Sequence, residues 1–335
     1  MNAPARSPSK PADLNALREL VASDLNNVNR VIIDYSHSPI ALINDMTEHI
    51  VAAGGKRLRP SLTIAAAKLC GYVGERHVRL AACVEFIHTA TLLHDDVVDA
   101  SDLRRGTATA NAVWGNKSSV LVGDFLFSRA FQLMVTDGSL DVLKILSDAS
   151  AIIAAGEVHQ LMVSHDLAIT QEVYEQVISA KTAALFAAAC ELGAVVGDKP
   201  EWRDALRSYG QNLGMAFQVV DDALDYQASQ SDIGKAIGDD LRDGKVTLPV
   251  IFAYAKASDA ERTFWQSTLE AGDAIEDDAL RRAKELLMKH DAFGLTLKVA
   301  QTFANAACES LKQIPDSQTK QALIDAAHFS VERSY

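Results

Sequence analysis

The chain has 335 residues, of which 48% are hydrophobic and 23% charged, with 32 Lys and Arg against 44 Asp and Glu. A formal net charge of -12 disfavours a general nucleic-acid binder, so an anionic substrate would need local cations or metal ions at its site. The length suits one large domain or two ordinary ones, and no apolar run reads as long enough to span a membrane.

Residues 1–13 carry Pro4, Pro8 and Pro11 with Arg6 and Lys10 and no apolar segment. That is the pattern of a disordered arm rather than a signal peptide. Helical spacing begins at Leu14 and continues through Leu17, Leu20, Val21, Leu25, Val28 and Val31, which predicts a helix over 14–33. Helices over 39–53, 60–71 and 75–98 follow, punctuated by Gly54-Gly55, Pro60 and the Gly71 to Gly74 turn. Further helical patterns cover 107–114, 118–136, 139–164, 171–195 and 201–227. The stretch 228–247 is polar, with Gly234, Gly238 and Gly244, and reads as a functional loop. Helices resume near 247–257, 259–270, 277–289, 292–313 and 317–332. Strand-like alternation bounded by turn signals is missing. The expectation is an all-α single domain over 14–335, its helices packed around a central cavity. Cys70, Cys83, Cys190 and Cys308 lack metal-ligand spacing and read as buried, reduced thiols of a cytoplasmic protein.

Two acidic stretches stand out. Asp95-Asp96-Val97-Val98-Asp99 closes the 75–98 helix, and Asp221-Asp222-Ala223-Leu224-Asp225 closes the 201–227 helix. Carboxylates four residues apart share a helix face and repel each other. Neither pair can stay ionised and buried without cations. Mg²⁺ takes oxygen ligands only and leaves places for phosphate oxygens, so two facing clusters could hold several ions around one diphosphate. Basic groups gather in the same regions. Lys56, Arg57 and Arg59 lie between Gly54-Gly55 and the helix-starting Pro60, where phosphate is attracted both by side chains and by the helix N-terminus. Arg104-Arg105 follow the first acids and can contact phosphate oxygens in bidentate fashion. Lys181-Thr182 precede an Ala-rich run, and Lys235 and Lys245 each follow a glycine in the loop. His88 lies two helical turns before Asp95, on the same face.

In this order the pieces resemble the trans-isoprenyl diphosphate synthase, or polyprenyl synthetase, family, in particular its long-chain, octaprenyl-type bacterial members. The matching segments are 55–60, His88, 95–99, 104–106, Lys181-Thr182, 214–218, 221–225, 234–241 and 244–249. The resemblance implies an isoprenoid synthase bundle that adds isopentenyl diphosphate repeatedly to an allylic diphosphate of farnesyl type, making quinone side chains. It implies that Asp95, Asp99 and Asp221 hold about three Mg²⁺ ions, with Asp96, Asp222 and Asp225 supporting them directly or through water. Arg104, Lys181 and Lys235 match residues that hold the allylic diphosphate, with Thr182, Gln218 and Lys245 beside them. Lys56, Arg59, His88 and Arg105 match the isopentenyl diphosphate site. The resemblance further implies a cytoplasmic homodimer that touches a membrane only transiently, at product release.

Chain length turns on the helix face leading back from Asp95, which carries Thr91, Ile87 or His88, and Val84, with Ala90 adjoining. Short-chain members place a bulky aromatic at the Ala90 or Thr91 position. Both are small here, so the tunnel stays open and its floor falls to another helix. Leu146 and Val142 are the candidates, with Phe131 and Met134 as alternatives. A short-chain synthase, a terpene cyclase and a silent subunit of a heteromeric synthase are the rivals. Lys56, Arg59 and His88 count against the cyclase, and the two intact acidic motifs count against the silent subunit.

Overall fold

The computed structural model describes residues 13–52, 55–104, 106–226 and 238–332. The expected arm therefore lies outside the described residues except for Asp13. Apolar residues at helical spacing build α1 (Asn15–Ser36), which buries Leu17, Val21, Val28 and Ile32. Helices α2 (Ala41–Ala52), α3 (Leu58–Leu69) and α4 (Arg76–Val98) follow. Asp24 ties three of them together, accepting from Lys68 of α3 at 2.7 Å and facing His77 of α4 at 3.5 Å.

After α4 the chain makes a short hairpin, β1 (Leu103–Arg104) against β2 (Thr107–Ala108), antiparallel with Leu103 opposite Ala108. The sequence pattern missed this hairpin and set a helix over 107–114. The helix, α5 (Ala110–Trp114), starts later because Thr109 caps it, accepting from the Ala112 amide. Thr109 Oγ1 also donates to the Ser101 carbonyl at 2.7 Å, which closes the hairpin. Two long helices follow, α6 (Asn116–Asp137) and α7 (Leu140–Val163).

The expected 171–195 helix is two helices, α8 (Gln171–Ile178) and α9 (Ala184–Val196), joined by one π-helical turn, Ser179–Ala183. α9 is the hub of the molecule. Its small residues let α3 and α10 (Arg203–Asp225) come close. A Cβ built on Gly210 of α10 would stand 2.3 Å from the Phe186 carbonyl oxygen, so only glycine allows this crossing. The expected loop over 228–247 contains a short helix, α11 (Asp239–Arg242). The C-terminal part comprises α12 (Leu248–Ala255), α13 (Asp259–Ala271), α14 (Asp277–Lys289), α15 (Ala292–Ser310) and α16 (Gln318–Glu332). α15 lies along α10, and Trp265, Leu269 and Leu287 anchor a second core around α12 to α14.

The described residues are all-α apart from one hairpin. By length and composition alone, α6 and the run Gln171–Val196 are long enough to cross a membrane. This corrects the sequence expectation. The second of these runs is 83% buried and is the core of the fold.

Candidate active site

Both acidic motifs occupy the last turns of their helices, where α4 ends at Val98 and α10 at Asp225. Burial pushes the Asp95 carboxyl above its usual range; Lys181 opposes that and Asp99 adds to it. Lys181 Nζ stands 3.7 Å from Asp95 but donates to Glu157 Oε2 of α7 at 2.6 Å. Glu157 supplies the partner that Lys181 lacks in sequence. Its own carboxyl is raised by burial and by Asp95, and its Oε1 is buried without a hydrogen-bond partner. Sequence reading missed Glu157, because nothing in its spacing points to a lysine 24 residues away.

Lys245 ties the first motif to the loop beyond the second. Its ammonium donates to Asp99 Oδ2 at 2.8 Å and to Asp243 Oδ2 at 2.9 Å. Burial works against that charge, but Asp240, Asp99 and Asp243 outweigh it and raise the lysine's pKa. The Lys245 amide donates to the Asp240 carbonyl at 2.8 Å, and the Asp240 amide donates to Asp225 Oδ2 at 3.3 Å. Asp99 and Asp225 are thus joined through one short segment.

Two acids are turned into the protein. Asp222 accepts at Oδ2 from the Tyr174 hydroxyl at 2.6 Å and at Oδ1 from Gln218 Nε2 at 2.7 Å. Gln218 in turn accepts from Thr182 Oγ1 at 2.8 Å. Burial pushes the Asp222 carboxyl well up. Asp96 is only 4% exposed, and its Oδ1 accepts from Arg104 Nε at 2.9 Å and Nη2 at 2.6 Å. Arg104 is thereby held on Asp96 by two hydrogen bonds. Asp221 is exposed. Tyr174 is a second residue that the sequence did not reveal.

At the start of α3, Arg59 meets His88 of α4, and Lys56 lies just before the helix. Arg59 Nη1 donates to His88 Nε2 at 3.1 Å, and its guanidinium lies 4.4 Å from the Phe186 ring centroid. Lys56 lies 6.0 Å over the Phe329 ring of α16. Arg105 and Lys235 lie outside the described residues. A cleft beside the acids is lined by Tyr174, Lys181, Thr182, Gln218, Asp222 and Lys245, together with the apolar Val163, Ile169 and Val177. On α4, Val84 and Ile87 are fully buried and Ala90 is 1% exposed, while Thr91 is half-buried and donates to the His88 carbonyl at 2.8 Å. Val142, Leu146 and Met134 are buried. Phe131 is 39% exposed on α6.

Among the described residues no three carboxylate, imidazole or thiol ligands converge on one point. The acids sit instead against Lys181, Lys245 and Arg104. The donor set still suits a hard divalent cation. It is all oxygen, Asp95 is disfavoured as an unaccompanied anion, and Glu157 Oε1 is buried without a partner.

The sequence profile described as Polyprenyl synthetase matches residues 40–322. The chain is 45% identical over 322 residues to octaprenyl diphosphate synthase of Escherichia coli, covering 96% of this chain and 99% of that protein. A crystal structure of a polyprenyl synthase from Caulobacter crescentus, complexed with calcium and isoprenyl diphosphate, superposes with a TM-score of 0.93 at 49% identity, covering 98% and 100% of the two chains. A decaprenyl diphosphate synthase from Rhodobacter capsulatus superposes with a TM-score of 0.90 at 50% identity, covering 96% and 100%.

Proposed function

The chain belongs to the polyprenyl synthetase family, and on that premise we propose that it is a Mg²⁺-dependent, long-chain trans-prenyltransferase. It condenses isopentenyl diphosphate repeatedly onto an allylic diphosphate of farnesyl type to give an octaprenyl-like product for quinone side chains. One observation carries this reading. Lys245 and the 238–245 segment join the two acidic helix ends, while Arg59 meets His88 two turns earlier on α4, with Lys56 just before α3. One site suits a diphosphate that leaves with metal ions, and the other a diphosphate that stays bound.

Asp95, Asp99 and Asp221 would hold the metal ions, which supply charge stabilisation for the departing diphosphate. Lys181, Lys245 and Arg104 move from their carboxylate partners toward the allylic diphosphate oxygens and neutralise them. Asp222 keeps its helix end in place through Tyr174 and Gln218, and Asp96 positions Arg104 until the diphosphate arrives. Lys56, Arg59 and His88 orient isopentenyl diphosphate so that its double bond faces the allylic carbon. The C–O bond ionises, the double bond attacks the resulting allylic cation, and the proton lost in forming the new double bond goes to the departing pyrophosphate. No strong protein base is required. Arg105 and Lys235 enter this assignment on sequence alone.

Small residues at Ala90 and Thr91 support the long product, as does the similarity to octaprenyl and decaprenyl synthases. Exposed apolar residues on neighbouring α6 and α7 support a homodimer, and the free thiols, Cys70, Cys83 and Cys190 buried and Cys308, against expectation, only half-buried, support a cytoplasmic setting. The test is to incubate the pure protein with farnesyl diphosphate, isopentenyl diphosphate and Mg²⁺ and to size the products. Octaprenyl-length chains are expected. Chains ending at farnesyl or geranylgeranyl length would overturn the long-chain assignment. No incorporation of isopentenyl diphosphate would overturn the enzyme assignment.

A further inference from the structure

Arg57 stands between the two cations assigned to isopentenyl diphosphate, Lys56 and Arg59, yet it turns away from them. Its Nη1 donates to Glu85 Oε1 of α4 at 2.5 Å, with side-chain exposures of 15% and 10%. Its backbone takes the left-handed conformation, φ 45°, at the position just before α3. A non-glycine residue adopts that conformation at a cost and keeps it where the surroundings hold it. Here both ends are held. The Arg57 carbonyl accepts from the Ser61 amide at 3.0 Å and from Ser61 Oγ at 2.8 Å, while the guanidinium is fixed by Glu85. Glu85 precedes His88 by nearly one turn of the same helix, and His88 accepts from Arg59. The start of α3 is therefore cross-linked to α4 twice, through the Arg59–His88 contact and, nearly one turn earlier on α4, through Arg57–Glu85. The second link lies at a small cavity shared with Thr47, Phe86 and Thr89.

We infer that the buried Arg57–Glu85 pair is a positioning device. It holds the 55–59 strap against α4 so that Lys56 and Arg59 meet isopentenyl diphosphate in register with His88. This rests on the proposed assignment of the Lys56, Arg59 and His88 group. The alternative is that the pair only stabilises the fold. The two are separable because the whole ion pair can be replaced without leaving a buried charge. Removing one partner strands the other, whereas replacing both by apolar residues is often neutral for stability.

The experiment is steady-state kinetics and thermal melting of Arg57→Met, Glu85→Gln, Arg57→Lys and the double variant Arg57→Met/Glu85→Met. The KM for each substrate is measured separately. In Arg57→Met and in the double variant the KM for isopentenyl diphosphate is expected to rise about tenfold, because displacement of binding groups weakens their ligand without touching the other substrate. The KM for farnesyl diphosphate should stay within about twofold. The double variant should melt near the wild type and still bind isopentenyl diphosphate poorly. Arg57→Lys retains a cation for Glu85 and should recover much of the binding even if Arg57→Met fails to fold. A double variant with wild-type KM for isopentenyl diphosphate overturns the inference, as does a parallel rise in both KM values. A wild-type protein that does not consume isopentenyl diphosphate rejects the underlying functional assignment instead.

Discussion

At Lys181 one ammonium serves two anions, Glu157 at 2.6 Å and Asp95 at 3.7 Å. In the proposed reaction that ammonium must leave Glu157 for a diphosphate oxygen, so Glu157 sets where Lys181 waits. Glu157→Gln keeps the shape and removes the charge. Lys181 should then settle against Asp95, and kcat/KM for the allylic substrate should fall about tenfold, with the KM for isopentenyl diphosphate unchanged. Lys181→Ala removes the cation itself and should cost more, about 10²-fold or beyond. A Glu157→Gln defect that falls equally on both substrates would contradict this division of labour. Such residues show what sequence can and cannot reveal. The two acidic motifs were legible because repulsion at a four-residue spacing demands a cation. Lys181 was legible as a cation without a neighbour. Glu157 and Tyr174 were not, because each becomes relevant only through a partner that the fold brings from another helix.

At the level of elements, the π turn at Ser179–Ala183 carries both Lys181, which faces Asp95 and Glu157, and Thr182, which donates to Gln218. A π turn inserts one extra residue into a helix, so it persists only where tertiary contacts favour it. Gly156 of α7 is one such contact. A Cβ there would lie 2.7 Å from Ala180 Cβ and 2.9 Å from the Lys181 amide nitrogen. Gly156→Ala should therefore push α7 from the turn and cost about 1–3 kcal/mol in thermal or urea unfolding, as overpacked cores do. It should also lower activity more than that destabilisation explains, because Glu157 and Lys181 move together. A variant that loses stability but keeps full activity would show that the close approach serves packing alone. The helices themselves were readable from apolar periodicity, to within the ends. The π turn, the Leu103–Ala108 hairpin and α11 were not. Each is fixed by hydrogen bonds from elsewhere in the chain or by a left-handed residue such as Gly238, rather than by local propensity.

Two features of the whole molecule carry predictions. The outward faces of α6 and α7 expose Leu121, Val135, Ile152, Leu161 and Met162, from 47% for Ile152 to 78% for Met162. An apolar surface of that kind favours a partner, and a second copy of the chain is the one proposed. Leu161→Glu should shift sedimentation from dimer to monomer, and unchanged sedimentation would place the interface elsewhere. The other feature is the use of α4 at both of its faces. Its last turn carries Asp95 and Asp99, while Val84, Ile87 and Ala90 lie buried in the turns before them. If these residues are ordinary core, a large side chain at Ala90 has nowhere to go, and Ala90→Tyr should destabilise by about 1–3 kcal/mol. If they line the path of a growing apolar chain, the ring enters space that product would otherwise fill. The free enzyme then melts near the wild type, and its products stop several units short. Melting temperature and product length of this one variant therefore answer the question together. A stable protein with shortened products establishes the wall, whereas a destabilised protein with full-length products returns Ala90 to the core and moves the measuring surface to another helix.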